Sequence, residues 1–314
     1  MSRGPRLQYP NACYHVINRG NYRSDIFAGP ATAAAFERCV FEACDLMGWV
    51  LYAHVVMRNH FHLAIRTPQP NLSQGMQWLE ATFATRFNRL RHVNGHLFQG
   101  RFHSPLIEPG TALARVVNYI HLNPVRARVL PVEQLSQYRF GSFRRFGRTR
   151  RPGFLQRSEW LHTLGLSDNA EGWLAYQDYL AWLAADPAEQ KRQGWGQLST
   201  GWAIGGLTWR REIKQSYGQK LGRHLLSPEE NAALNHAEWS SALDELLLQA
   251  GRTLPEAAQS AKGAPWKIQL AIQLRRTTSA TIPWLASHLH LGAPSSLRVY
   301  LACPPTPKTS ILAL

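Results

Sequence analysis

Two short stretches of this 314-residue chain hold residue types that chemistry uses at useful spacings. The first is His60-Phe61-His62. In an extended strand, side chains at i and i+2 leave the same face, so both imidazoles can converge on one cation. Phe61 would then point the other way, into a core. Taken alone, a His-x-His pair is usually incidental. The second stretch is Tyr119-Ile120-His121-Leu122-Asn123-Pro124. Tyr119 and Asn123 are four apart and on a helix stack on one face. That would set a phenol beside an amide oxygen able to complete an oxygen- and nitrogen-ligated metal site. Read singly, Tyr119 is an ordinary half-buried tyrosine and Asn123 a helix C-terminus before Pro124. Together, within a strongly basic segment, they carry more weight.

The elements that must position these residues are legible as periodicity. Residues 13–18 (CYHVIN) alternate as a strand and end at the turn Arg19-Gly20-Asn21. Residues 31–47 place Phe36, Val40, Phe41, Cys44 and Met47 at helical spacing. Two further strands, 49–57 and 60–66, meet at the tight Arg58-Asn59 corner. A helix after an Asn71 N-cap shows the stripe Leu72, Met76, Leu79, Phe83, Phe87, Leu90. Residues 102–107 read as a strand leading through Pro109-Gly110 into a helix from Thr111 to about His121. This β-α-β-β-α-β-α order predicts an α+β, ferredoxin-like domain, an antiparallel sheet with helices on one face.

Charge points to the partner. The formal net charge is +15, and residues 1–160 hold 21 Arg, no Lys and 8 acids, a net +13. A positive field concentrated on one half favours a polyanion, and the planar guanidinium fork suits phosphate. Hydrophobic residues at 45% exclude a disordered chain. The four cysteines (Cys13, Cys39, Cys44, Cys303) form no C-x-x-C pair, so neither a zinc ribbon nor a disulfide framework is indicated. No apolar run approaches a membrane span and the first residues lack a signal-peptide core. A cytoplasmic, nucleoid-associated protein with no membrane partner is expected.

M-R-N-H-F-H-L (57–63) and N-Y-I-H-L-N-P-V-R-A (118–127) resemble the two active-site motifs of single-tyrosine HUH transposases. The closest likeness is to the REP-associated tyrosine transposases. Y-H-V-I-N-R-G-N (14–21), G-H-L-F-Q-G-R-F-H-S (95–104) and Y-R-F-G-S-F (138–143) support it in the family's order, over about residues 9–146. The resemblance implies an HUH fold in which His60 and His62 hold a divalent metal, Mg²⁺ or Mn²⁺. Asn123 falls at the third ligand and Tyr119 at the nucleophile. It implies cleavage and transfer of single-stranded, hairpin-bearing DNA (REP-like repeats) through a 5′-phosphotyrosine. Arg58 departs from a common Pro, and His103 from a common Lys. Arg19, Arg101, Arg115, Arg126 and Arg128, near these motifs, are candidate phosphate contacts.

Residues 141–158 hold six Arg with Gly and Pro and read as a basic linker or tail of the first domain, which sets domain limits at 1–150, a linker at 151–170 and a helical domain at 171–314. Helical stretches are expected at about 171–185, 227–249 and 265–276, with no strand after Trp160. Near 281–302, a short helix, a Leu291-Gly292 turn and a second helix follow helix-turn-helix grammar. Ser295, Ser296 and Arg298 would face a major groove, making duplex DNA a second partner. Trp284, Leu285, Leu289, Leu297 and Leu301 read as core. Two other readings stay open: a non-catalytic DNA-hairpin regulator and an RNA-processing nuclease on the same fold. Monomer and homodimer are both compatible with the sequence.

Overall fold

The computed structural model describes residues 6–148, 150–217 and 228–302. The chain divides into two compact units, Met1–Leu225 and Leu226–Leu314.

The first unit is mixed α+β. Strand β1 (Ala12–Arg19) is followed by helix α1 (Pro30–Met47), the hairpin β2 (Val50–Val56) and β3 (His60–Thr67), helix α2 (Leu72–Arg91), the short β4 (Leu106–Ile107) and helix α3 (Thr111–Arg126). Helices α4 (Ser142–Phe146), α5 (Ser158–Thr163), α6 (Ala170–Ala185) and α7 (Pro187–Arg192), strand β5 (Ala203–Ile204) and helix α8 (Leu207–Tyr217) complete it. The five strands run in the order β2-β3-β1-β4-β5. β3 pairs antiparallel with β1 along its length, Ala12 opposite Thr67 and Arg19 opposite His60. β5 joins β4 in parallel, so the sheet is mixed and gains a strand from a stretch with no strand signal.

Strand alternation gives the sheet two unlike faces. Phe61 packs on Phe27 and Phe36, with Phe83 of α2 closing the same cluster. His62, one residue on, meets Tyr119 of α3 instead. The helices therefore lie on both faces, α1 and α2 on one and α3 on the other; the one-face expectation holds only for the first two. α1 begins with Pro at its N-terminus and stops at Gly48, whose φ of +68° suits a left-handed cap. Asn71 does not cap α2 through its side chain. Its oxygen accepts from Trp49 Nε1 (2.7 Å) and its amide donates to the Met47 carbonyl (2.9 Å), tying α2 to the end of α1. α3 runs past His121, through Pro124, to Arg126. Proline in the last turn forfeits only one hydrogen bond there, so Asn123 sits inside the helix, not at its end.

The division of the chain also differs from the expected one. Residues 151–170 are not a linker: Leu155 bridges Leu51, Leu51 N donates to the Phe154 carbonyl (2.7 Å), and Trp160 and Leu161 are fully buried. Arg157, which looked like linker charge, is buried with Nε on Asp168 (2.6 Å) and Nη1 on the Phe146 carbonyl (2.6 Å). An arginine whose fork is fully engaged can be taken from water.

The second unit is helical: α9 (Pro228–Gln249), α10 (Leu254–Gln259), α11 (Pro265–Thr277), α12 (Ile282–His288) and α13 (Pro294–Ala302). Trp239, Leu243, Leu274, Trp284, Leu285, Leu289 and Leu297 form its core, with Leu301 packed against it. Lys267 is buried, its ammonium donating to the carbonyls of Ala257, Ser260 and His290.

Candidate active site

β3 and β1 present a row of side chains on one face, polar apart from Ile17. Cross-strand partners share a face, so the Arg19–His60 and Ile17–His62 pairs put His15, Arg19, His60 and His62 together on the side covered by α3. The His60 and His62 rings lie 5.1 Å apart, and Tyr119 stands edge-on to His62 at 5.5 Å and to His15 at 5.9 Å. Asn123, one turn beyond Tyr119, lies beside the His60 imidazole and acts on its protonation. The four residues expected from sequence are thus brought to one spot. Tyr119 is buried apart from its edge, and its hydroxyl shares a hydrogen bond with Ser199 Oγ (3.1 Å).

Each histidine is held through Nδ1. His60 Nδ1 donates to Asn59 Oδ1 (2.8 Å). His15 Nδ1 lies 2.7 Å from the Leu198 carbonyl, which can only accept, so that nitrogen carries the proton and His15 Nε2 is the acceptor. His62 Nδ1, 2.9 Å away, therefore donates to it, leaving the lone pair of the neutral His62 ring on Nε2. Burial keeps these rings neutral. It pushes His15 down to about 4 and His62 well below the usual histidine range, with His15, His60 and Arg126 adding to the latter. His60 is lowered by burial and by the neighbouring Arg19. Neutral imidazoles with a free nitrogen are metal ligands. Among the described residues no three His, Cys, Asp or Glu cluster to hold a metal. The donor set here is two imidazoles and an amide, which suits a hard divalent ion that takes its remaining ligands from water or phosphate. Cys13, Cys39 and Cys44 are buried elsewhere, their thiols pushed up by burial.

The profile of the family described as "Transposase IS200 like" matches residues 8–123, which span every element of this site up to Asn123. The match covers residues 8–123, a little over a third of the chain. Among solved structures, a REP-associated tyrosine transposase bound to a REP hairpin is 19% identical, covering 50% of this chain and 98% of its own, at a TM-score of 0.39. A protein described as a transposase from Deinococcus radiodurans is 20% identical, covering 41% of this chain and 92% of its own, at 0.28. No curated protein matches the chain. No helix among the described residues is long and apolar enough to cross a membrane.

The candidate phosphate contacts divide within residues 8–123 and the segment that follows them. Arg19 stands opposite His60. Arg126 lies over the Tyr119 ring (4.7 Å) and the Trp195 ring (5.3 Å), half-enclosing the phenol. Arg115 does not point a free fork at the site: Nη1 donates to the Gln193 carbonyl (3.1 Å), bracing α3 against the chain after α7. Arg101 and Arg128 are exposed, in the segments that follow α2 and α3. The sequence reading missed His15, Trp195, Leu198 and Ser199. For His15 the signal existed, since His15, Ile17 and Arg19 alternate along one strand face. Residues 195–199 had none: they fall outside the family match and reach the site only through folding. In the second unit, Thr281 caps α12 by accepting from Trp284 N, and His290 and Gly292 turn the chain with positive φ into α13. Ser295 and Arg298 are exposed, Ser296 is half-buried, and Leu297 is buried.

Proposed function

We propose that this chain cleaves and rejoins single-stranded DNA at hairpin-forming, REP-like repeats, through a covalent 5′-phosphotyrosine on Tyr119. The reading rests on one observation, the convergence of Tyr119, His60, His62 and Asn123 on one sheet face of an IS200-like domain. A phosphodiester repels nucleophiles, so the site must neutralise its charge and fix its geometry. His60, His62 and Asn123 would hold a divalent ion, Mg²⁺ or Mn²⁺, which supplies Lewis-acid stabilisation of the phosphate when bound. Arg19 and Arg126 flank the same place and would bind non-bridging oxygens. Tyr119 Oη bonds to phosphorus as its proton leaves, the bond from phosphorus to the 3′ oxygen breaks, and that oxygen takes up a proton as a free 3′-OH. The phosphotyrosine keeps the bond energy, so a 3′-OH can reverse the step or join another end without a nucleotide cofactor. Ser199 and Trp195 restrain the phenol, favouring a near-attack geometry. α12 and α13 would add duplex contacts through Ser295, Ser296 and Arg298.

The test is a labelled hairpin single strand incubated with Mn²⁺ and run under denaturing conditions. Wild type yields a protein–DNA adduct and Tyr119→Phe yields none. An adduct with Tyr119→Phe, or none with wild type across hairpins bearing single-stranded flanks, would overturn the mechanism.

A further inference from the structure

A second charged feature lies on the α1 side of the sheet, away from the face that carries Tyr119. Arg38 of α1, Arg139, and Arg144, Arg145 and Arg148 in and after α4 line a cleft of about 500 Å³. Its one acid, Glu37, is already engaged: both its oxygens take hydrogen bonds from Arg145, and His54 Nε2 lies 3.0 Å from Oε1. Arg38, Arg139, Arg144 and Arg148 make no ion pair among the described residues. The cleft is built rigidly. Ser142, which opens α4, accepts from His54 N (2.9 Å), contacts His121 Nε2 (2.9 Å) and is buried, while Phe143 and Phe146 anchor the helix. Four like charges held that way repel one another and condense counter-ions, which a polyanion releases on binding. We propose that this cleft binds the phosphodiester backbone of the processed nucleic acid, through guanidinium–phosphate forks, at a place separate from the Tyr119 site. The choice of nucleic acid over another polyanion rests on the function proposed above.

Binding of a DNA hairpin with a single-stranded flank, followed against NaCl concentration, tests it. Arg144→Gln/Arg148→Gln should lower the salt slope by about 1–2 and weaken binding about tenfold or more at 0.1 M salt. Arg89→Gln/Arg91→Gln, an equal charge change at exposed positions of α2, should have a smaller effect, because screening over about 10 Å isolates it. Equal effects of the two pairs, or an unchanged slope in the cleft variant, overturn the proposal. So does an equal loss in binding to phosphatidylserine vesicles, which would assign the cleft to a lipid surface. Tyr119→Phe should bind with the wild-type slope. Failure to cleave leaves this comparison intact, so the two readings fail separately.

The hydrogen-bond chain behind His62 carries a second, independent inference. From it we infer that His15 is a positioning residue, anchored by the Leu198 carbonyl, that fixes His62 in the Nδ1–H tautomer and so keeps the lone pair on Nε2. This rests on the metal role given to His62; partners of this kind orient a ligand ring and raise its basicity. Histidine ¹⁵N NMR of the wild-type protein without metal reads the tautomer directly, whether or not the enzyme cleaves. His62 protonated at Nδ1 is expected; protonation at Nε2, the form favoured in water, overturns the inference. His15→Phe, and His15→Gln should the first misfold, ought to weaken Mn²⁺ binding about 10- to 100-fold by titration calorimetry. Wild-type affinity in a folded variant overturns it equally.

Discussion

Glu80 on α2 shows how one residue's surroundings set a pH response. Burial raises its carboxyl to about 7, against the opposing pull of the Asn18 amide, which donates to Oε1 (2.8 Å), and of Arg6. A carboxyl held above its unfolded value of about 4.3 keeps its proton in the native state after the unfolded chain has lost it. Stability therefore falls as pH rises from about 4.3 to 7 and levels off above. Glu80→Gln keeps an acceptor for Asn18 and removes that slope. The variant should match wild type near pH 4 and exceed it by ~2 kcal/mol at pH 8 in urea unfolding. Equal pH profiles would refute the assignment.

Among the elements, the join between α1 and α2 is a tight one. Trp49 and Met47, at the end of α1 and just past it, press against Gly75 on the first turns of α2, where an added Cβ would fall within the indole ring. Trp49 is itself fully buried and tied to Asn71. Helical propensity alone favours Ala over Gly at such a position by about 1 kcal/mol. Overpacking outweighs that gain, so Gly75→Ala should destabilise the first unit by roughly 1–3 kcal/mol, seen as a lowered Tm. A stabilised variant would mean that the two helices can separate freely.

At the scale of the molecule, charge follows the structural units more closely than the halves of the sequence. Residues 1–225 hold 28 basic and 14 acidic residues, a net +14, and residues 226–314 hold 7 and 6, a net +1. The polyanion field belongs almost wholly to the unit with Tyr119. That unit needs its later residues. His121 of α3 packs on Trp160 of α5 and Tyr176 of α6, with Tyr176 Oη 2.8 Å from His121 Nδ1, and β5 extends the sheet. A chain ending at residue 150 should lack cooperative thermal unfolding by near-ultraviolet circular dichroism, whereas residues 1–225 should keep it. Cooperative unfolding of 1–150 would show that the later helices are dispensable.

What the sequence determined by itself was local. Alternation put His60 and His62 on one strand face, and the four-residue spacing stacked Tyr119 on Asn123, because each relation is written within a few residues of backbone geometry. The motifs resembled a single-tyrosine transposase family, and an IS200-like transposase profile matches residues 8–123. Only the tertiary structure set α3 on the face opposite α1 and α2 and closed the site with Trp195, Leu198 and Ser199. It also buried Arg157 inside what reads as a basic linker. Leu198 reaches His15 across 183 residues of chain. Such a contact is decided by which distant apolar surfaces bury one another, and it leaves no periodic trace in either segment.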